Sequence, residues 1–323
     1  MTTVAIAHPN VALVKYWGKR SGTDNLPATP SLSLTLGGLT TRTSVTLEAG
    51  GDGAAVSING ASARDAKIEA CVARLRARAV ERRGRLVVAS TNDFPTAAGL
   101  ASSASGFAAL VTAIDAELAL GLDFAARADE ARRGSASAAR SLVGGIVAFE
   151  GSDDARTWQP RQILDERAWP LDVVVAVCAE DPKATSSSEA MIRTRGSSPY
   201  YDRWLTCAER DYAEASACIA ARDFAGLADV AEANCLSMHA AMLAARPAIV
   251  YWNGATVECV RRIRELRAQG VAAFFTIDAG PQVKAVCLPD ARARVRAALG
   301  EVPGVQRVIE SALGAGACIE TRA

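Results

Sequence analysis

Four short segments of this 323-residue chain place charged or hydroxyl side chains where a folded protein can use them. Pro95-Thr-Ala-Ala-Gly-Leu-Ala-Ser-Ser-Ala-Ser105 follows a strand pattern and opens a helix. Its small residues let backbone approach a ligand, and its free N–H groups and the positive end of the helix dipole favour a polyanion. Ser102, Ser103 and Ser105 add hydroxyls for phosphate or a bound metal. A plain N-cap on a small-residue helix satisfies the same pattern, and Walker-A spacing is absent. In Asn10-Val-Ala-Leu-Val-Lys-Tyr-Trp-Gly-Lys19 a strand-like run ends in two lysines flanking an aromatic pair. Lys15 and Lys19 can hold anions or form a solvated edge. Lys15, however, sits in an apolar run, where an unpaired ammonium is costly, so it requires a carboxylate partner.

The third segment is Ser135-Ala-Ser-Ala-Ala-Arg140, with Arg140 one turn after a plausible Ser137 cap. An arginine there can grip a carboxylate with two parallel hydrogen bonds, or it can stand exposed on a capped helix. In the fourth, Phe274-Phe-Thr-Ile-Asp-Ala-Gly-Pro281, an apolar strand runs directly into an acid. Asp278 is either a turn former or a carboxylate able to orient or deprotonate a hydroxyl. With only His8 and His239 in the chain, clustered zinc sites are removed and a Ser-His-Asp triad is disfavoured.

The elements that must carry these segments read as a mixture of strands and helices. Strand patterns cover Thr3–Ile6, Val11–Val14, Ser31–Leu36, Thr43–Leu47, Arg85–Ser90, Ile146–Phe149 and Asp172–Val177. Further strands are expected over Ala272–Ile277, Lys284–Cys287, Val305–Ile309 and Cys318–Glu320. Helical patterns cover Asp65–Ala79, Leu100–Leu118, Phe124–Arg133, Tyr200–Ala221, Phe224–Ala244, Val257–Gln269 and Ala291–Leu299, and Lys183–Ser188 reads as a serine-rich loop. The polar stretch Gly151 to Pro170 divides the chain into residues 1–170 and 171–323, the second expected to be helices on one antiparallel sheet.

Composition narrows the function classes. Half of the chain is hydrophobic, enough for a sizeable core, and 36 Lys+Arg against 35 Asp+Glu leave no basic footprint for nucleic acid. No run approaches the roughly 18 apolar residues of a membrane span, and the N-terminus lacks a charged-then-apolar signal, so a cytoplasmic protein is expected. Eight cysteines without CxxC spacing read as reduced, mostly packed thiols.

Taken together, PNVALVKYWGKR (Pro9–Arg20), NDFPTAAGLASSASGFAAL (Asn92–Leu110), RRGSASAARSLVGG (Arg132–Gly145), MHAAM (Met238–Met242) and FFTIDAGPQVK (Phe274–Lys284) resemble the diphosphomevalonate decarboxylases of the GHMP kinase superfamily over nearly the whole chain. The resemblance implies a two-domain α+β fold, with an N-terminal α/β domain of the ribosomal protein S5 domain 2-like type and a C-terminal domain of helices on an antiparallel sheet. It implies ATP and Mg2+ over Pro95, Ala98, Gly99, Leu100, Ala101, Ser102, Ser103 and Ser105, with Ser102 and Ser103 toward the metal. Asp278 is then catalytic at the tertiary 3-hydroxyl, paired with Lys15, while Arg140 holds the substrate carboxylate. Tyr16, Lys19, Ser135, Ser137 and Ser187 hold the distal phosphates or the mevalonyl chain, Asn10 and Met191 are further residues of the substrate pocket, and a homodimer is implied. The reaction so implied is 3-phosphorylation of mevalonate 5-diphosphate, then loss of phosphate and CO2 to give isopentenyl diphosphate. Three positions depart from relatives: Ala136 for Gly, Thr29-Pro30 for a polar pair, and Ser188 for an Arg of many bacterial members. The last keeps a monophosphate substrate open, beside a kinase without decarboxylation and a non-catalytic nucleotide binder.

Overall fold

The computed structural model describes residues 2–20, 25–51, 53–79, 82–94, 102–152, 154, 157–181 and 183–322. Three sheets carry the chain. The first orders β14 (Cys318–Arg322), β1 (Thr2–Ala7), β4 (Thr41–Glu48), β7 (Arg85–Asn92), β5 (Ala54–Ile58) and β6 (Ala61–Ser62), antiparallel except where β5 runs parallel to β7. The second, fully antiparallel, orders β2 (Asn10–Val14), β3 (Ser31–Thr35), β8 (Ile146–Glu150) and β9 (Gln159–Leu164). The third, also antiparallel, orders β11 (Ala273–Ile277), β12 (Val283–Cys287), β10 (Asp172–Val177) and β13 (Arg307–Ala312).

Against the first sheet packs α2 (Ser102–Leu118), with α1 (Ala66–Arg78), α3 (Phe124–Gly134) and the short α4 (Ala138–Ser141) beside it. Because α2 is apolar around most of its circumference, it is an interior helix: Phe107, Leu110, Val111 and Ile114 meet Ala5, Val45 and Val88 of the sheet. The third sheet is buried on both faces, which is why β10 reads Asp-Val-Val-Val-Ala-Val without alternation. One face packs with β2 and β3 and with α6 (Tyr201–Ala221) and α7 (Phe224–Leu243); the other packs on α8 (Gly254–Ala268) and α9 (Arg292–Gly300). Strand alternation divides the residues between the faces: Phe274 and Val286 join the first core, while Phe275, Ile277, Val283 and Ala285 join the second.

Several elements differ from the sequence expectation for local reasons. The polar stretch after Gly151 contains β9, which among the described residues is an edge strand paired with β8; Pro160 is tolerated because an edge needs fewer donors. The parallel pairing of β5, which lacks clean alternation, also escaped the sequence reading. Helix α8 starts at Gly254 instead of Val257 because Asn253 caps it through a reciprocal capping box with Thr256. Ser187 opens a helix, α5 (Ser187–Ser197), where a loop was expected; the Ser186-x-x-Glu189 cap signature was present. The terminal strand does not extend the third sheet. β14 pairs with β1 and so covers an otherwise open edge of the first.

The turn after Lys15 is held by close packing. Gly18 has φ +125°, and a Cβ built on it would lie 2.3 Å from the Tyr201 hydroxyl. Gly18→Ala is therefore expected to lower stability by about 1–3 kcal/mol, read as an earlier midpoint in urea unfolding.

Candidate active site

Asp278 is the first residue past β11, on the same side as Phe274 and Thr276 by alternation. The Ile277 peptide before it is fixed by α7: the Cys235 Sγ accepts from Ile277 N (3.1 Å), and His239 Nε2 lies 3.2 Å from Ile277 O. Burial pulls His239 down to about 3, so the ring is neutral and its Nε2–H donates to that carbonyl. After Asp278, Gly280 N donates to Asp278 O at 2.8 Å and turns the chain into β12.

Lys15 comes from the other side of the cleft, just past β2. Its backbone N donates to Asn234 Oδ1 (2.8 Å), and Asn234 Nδ2 donates to Asp211 Oδ2 (2.9 Å), while Trp204 Nε1 donates to Trp17 O (2.7 Å). Helices α6 and α7 thus set the lysine. Its Nζ donates to Asp278 Oδ1 at 2.7 Å and to Ala12 O at 2.8 Å. The carboxylate partner required by an apolar setting is therefore present, 263 residues away.

Arg140, fully buried on α4, is locked by Asn10 Oδ1, which accepts from its Nε and Nη2 (3.0 and 2.9 Å), and by Ser31 Oγ, which accepts from Nη1 (2.8 Å). The Asn10 Nδ2 donates in turn to Ser137 O and Ser141 Oγ. Both ends of that amide are thus spent on orienting the guanidinium. Ser137 makes no side-chain cap to α4; its hydroxyl pairs with Ser135 Oγ at 3.2 Å, and Ser135 pairs with Ser103 Oγ at 3.2 Å. Across the cleft, Lys19 Nζ donates to Ser188 Oγ (2.9 Å) and Asn25 Oδ1 (2.8 Å), and Lys183 Nζ donates to Ser187 Oγ (3.1 Å) and Ala279 O (2.9 Å).

These groups enclose a cleft of about 460 Å³. Its described lining holds Lys15, Lys19, Lys67, Arg140 and Lys183 against the single carboxylate of Asp278, together with Ser102, Ser103, Ser135, Ser137 and Ser186 to Ser188. Such a surplus of cations and hydroxyls fits a polyanionic ligand. Tyr16 Oη and Trp17 Nε1, also at this cleft, are buried donors without a partner among the described residues, which suits a ligand acceptor.

Electrostatics follow from this geometry. Burial works to raise the Asp278 carboxyl, but the charges of Lys15, Lys284 and Arg140 and the Lys15 hydrogen bond hold it well below the usual carboxylate range. Burial pulls Arg140 down to about 10, with Asp278 and Tyr16 opposing, so it stays charged at neutral pH. Burial, with the charge of Lys67, brings Lys19 down to about 8.

The structure brings Asp278, Lys15, Arg140, Asn10, Tyr16, Lys19, Ser135, Ser137, Ser187, Met191, Ser102 and Ser103 to one cleft. Ser105 is not among them: it is fully buried, with its hydroxyl 2.6 Å from Thr41 Oγ1. It follows Ser103 by about 200° around α2, which turns it from the cleft. Pro95, Ala98, Gly99, Leu100 and Ala101 lie outside the described residues. Sequence reasoning gave no role to Lys183, Lys284, Lys67, Asn25 or Met238. Lys284 carried a usable signal, since like Lys15 it interrupts an apolar strand. A metal would find hydroxyls at Ser102 and Ser103, but no group of three or more His, Cys, Asp or Glu among the described residues. That donor set fits Mg2+, which keeps its waters and binds through phosphates.

Two family descriptions match the chain: "Diphosphomevalonate decarboxylase-like N-terminal domain" over residues 7–158, and "Mevalonate 5-diphosphate decarboxylase C-terminal domain" over 173–314. A diphosphomevalonate decarboxylase of Eremothecium gossypii is 38% identical over 91% of this chain and 80% of that protein. The chain belongs to the diphosphomevalonate decarboxylase family. The human diphosphomevalonate decarboxylase is 32% identical over 91% of this chain and 79% of its own length. The solved mevalonate diphosphate decarboxylase from Staphylococcus aureus superposes with TM-score 0.91 at 32% identity, over 99% of this chain and 98% of that one. A structure described as MDDEF in complex with MVAPP, AMPPCP and magnesium gives TM-score 0.90 at 33% identity, over 100% and 99% of the two chains. The two-domain α+β fold of GHMP kinase type expected for this family is thus the fold of this member.

One pH dependence follows. Lys19 loses its proton as pH rises through about 8, and an anion binds better to the ammonium than to the amine. Pyrophosphate affinity measured by calorimetry is therefore expected to fall as pH is raised from 7 to 9, and to fall less steeply in Lys19→Arg.

Proposed function

We propose that this decarboxylase family member converts mevalonate 5-diphosphate, with ATP and Mg2+, to isopentenyl diphosphate, ADP, phosphate and CO2. The observation that carries this reading is the cation-rich cleft with one carboxylate at its end, held by an ammonium and facing a buried arginine. A kinase needs a hydroxyl-orienting acid. A decarboxylase also needs a cation to hold the carboxylate that leaves, and Arg140 supplies it.

In this mechanism Asp278 accepts the hydrogen bond of the substrate's tertiary 3-hydroxyl. Because its cations keep it a weak base, it aligns the hydroxyl and takes the proton only as the oxygen–phosphorus bond forms. ATP supplies the phosphoryl group, and a Mg2+ held by Ser102 and Ser103 together with the phosphates would neutralise phosphate charge. Ser102 and Ser103 at the start of α2, with the Pro95–Ala101 segment of the sequence, receive the nucleotide phosphates. An apolar slot of about 180 Å³, lined by Val56, Ile58, Ile68, Val88, Phe107 and Leu110, opens beside the same two serines and suits the adenine ring. Arg140 holds the carboxylate in line for loss while the 3-phosphate departs: the carbon–carbon bonding pair becomes the alkene, and CO2 leaves. Lys19, Ser135, Ser137, Ser187 and Tyr16 hold the 5-diphosphate and the chain, Met191 contacts the apolar part, and Lys15 keeps Asp278 ionised. Ser188 stands where a guanidinium is expected in many bacterial relatives, which favours a monophosphate as the second reading.

The division near residue 170, with the substrate between the two units, belongs to the same reading, as does a cytoplasmic homodimer. Exposed apolar side chains at Ile192, Leu243 and Val250, on segments tied by the Arg246 N to Ser197 Oγ bond, support a partner surface.

Purified protein given ATP, Mg2+ and either mevalonate 5-diphosphate or 5-phosphate is expected to release CO2 and ADP in equal amounts, faster with the diphosphate. ADP without CO2 identifies a kinase, and preference for the monophosphate transfers the assignment to that ester. Asp278→Asn is expected to lower turnover by at least roughly 10²-fold with little change in nucleotide affinity by titration calorimetry. Near-normal turnover removes Asp278 from the mechanism.

A further inference from the structure

Lys284 is a buried cation to which the mechanism above gives no positioning role. On β12 it is paired in register with Thr276 of β11 and Val175 of β10. Alternation puts its side chain on the face of Val286 and Phe274, the face that meets β2 and β3. That interior does not tolerate an ammonium without a counterion. The counterion is Asp278: Lys284 Nζ lies 3.5 Å from Oδ2, and Lys15 Nζ lies 2.7 Å from Oδ1. The three groups differ in access. The side chains of Lys15 and Lys284 are 1% and 2% exposed, and that of Asp278 is 26% exposed. The carboxylate therefore reaches the cleft while its second ammonium stands behind it, absent from the cleft lining.

We propose that Lys284 is a positioning residue of the decarboxylation: it draws Asp278 Oδ2 from behind while Lys15 binds Oδ1, so that the plane of the carboxylate is fixed and both oxygens stay anionic toward the substrate hydroxyl. A single ammonium on Oδ1 leaves the carboxylate free to rotate about its Cβ–Cγ bond. Two ammoniums on different oxygens remove that freedom, and preorganisation of this kind is realised where reacting atoms must be aligned. The 3.5 Å separation also matters, because it leaves Oδ2 with room for a substrate hydrogen bond that a tight Lys284 contact would contest.

The charged and titratable groups facing this pair come from every neighbouring element. They are Lys15 after β2, Arg140 on α4, Lys183 before α5, and Cys235 and His239 on α7. His239 is neutral, and burial raises the Cys235 thiol, so neither supplies a compensating charge when Lys284 is removed. Lys284 itself is pulled down by burial and held up mainly by Asp278, so the two charges depend on each other.

This inference rests on the decarboxylase reading, and the test separates the two. CO2 release with ATP and phosphorylated mevalonate is followed from pH 5 to 9 for the wild type, Lys284→Met and Lys284→Gln, with ATP-analogue affinity and thermal unfolding measured alongside. Either folded variant is expected to lose at least roughly tenfold in kcat. The loss should fall on kcat, with KM for both substrates and nucleotide affinity within about threefold of wild type. A folded variant whose kcat matches wild type overturns the proposal, as does one whose loss appears chiefly in KM or in nucleotide affinity. Should neither variant fold, a wild-type acid limb centred between pH 5 and 6 overturns it, since the paired carboxylate must stay ionised there, and a flat profile through that range supports it. A wild type that releases no CO2 overturns the decarboxylase reading and this inference together. CO2 release with unaffected variants removes Lys284 alone.

Discussion

The ion pair between Lys15 and Asp278 is the contact on which the rest of the site depends. It joins the end of β2 to the end of β11, so it forms only when the second and third sheets pack face to face. The apolar core between those sheets, with Val11, Leu13, Leu32, Val173, Val175 and Phe274, makes that packing favourable and also dries the pair. Drying makes each unpaired charge costly, so the core that unites the sheets also enforces the salt bridge.

Around this pair the cleft is built from positive charge and small hydroxyls. Buried side chains with spent hydrogen bonds, Asn10 above all, hold Arg140 still, while flexible lysines at Lys19 and Lys183 lean on serines that a phosphate can displace. A rigid guanidinium suits a planar carboxylate that must be aligned; compact ammonium groups suit phosphate oxygens that only need neutralising. The arrangement therefore divides the labour expected of a decarboxylase whose substrate carries both groups.

Much of this was legible in the sequence because the signals were local and, though each was weak alone, occurred together in one order. The apolar run around Lys15 demanded a carboxylate, the strand into Asp278 put an acid at a strand end, and the small-residue segment marked the start of α2. Other signals were present and unread: Lys284 interrupts β12 as Lys15 interrupts its own run, and Ser186-x-x-Glu189 announced α5. The edge strand β9 had no comparable signal, since an edge exposed on one side and carrying Pro160 reads as loop.

The sequence by itself determined the alternation of strands, the helices, and the residue types of the chemistry, because those depend on side chains a few positions apart. Tertiary structure alone decided which of the hydroxyls and charges share a cleft. Ser105 turned onto Thr41 while Ser103 faced Ser135, Asn10 went to Arg140, β14 closed the first sheet instead of extending the third, and Lys284 came to stand behind Asp278. The physical reason is that helix phase, sheet order and desolvation are properties of packed neighbours, and those neighbours are separated in the chain by tens to hundreds of residues.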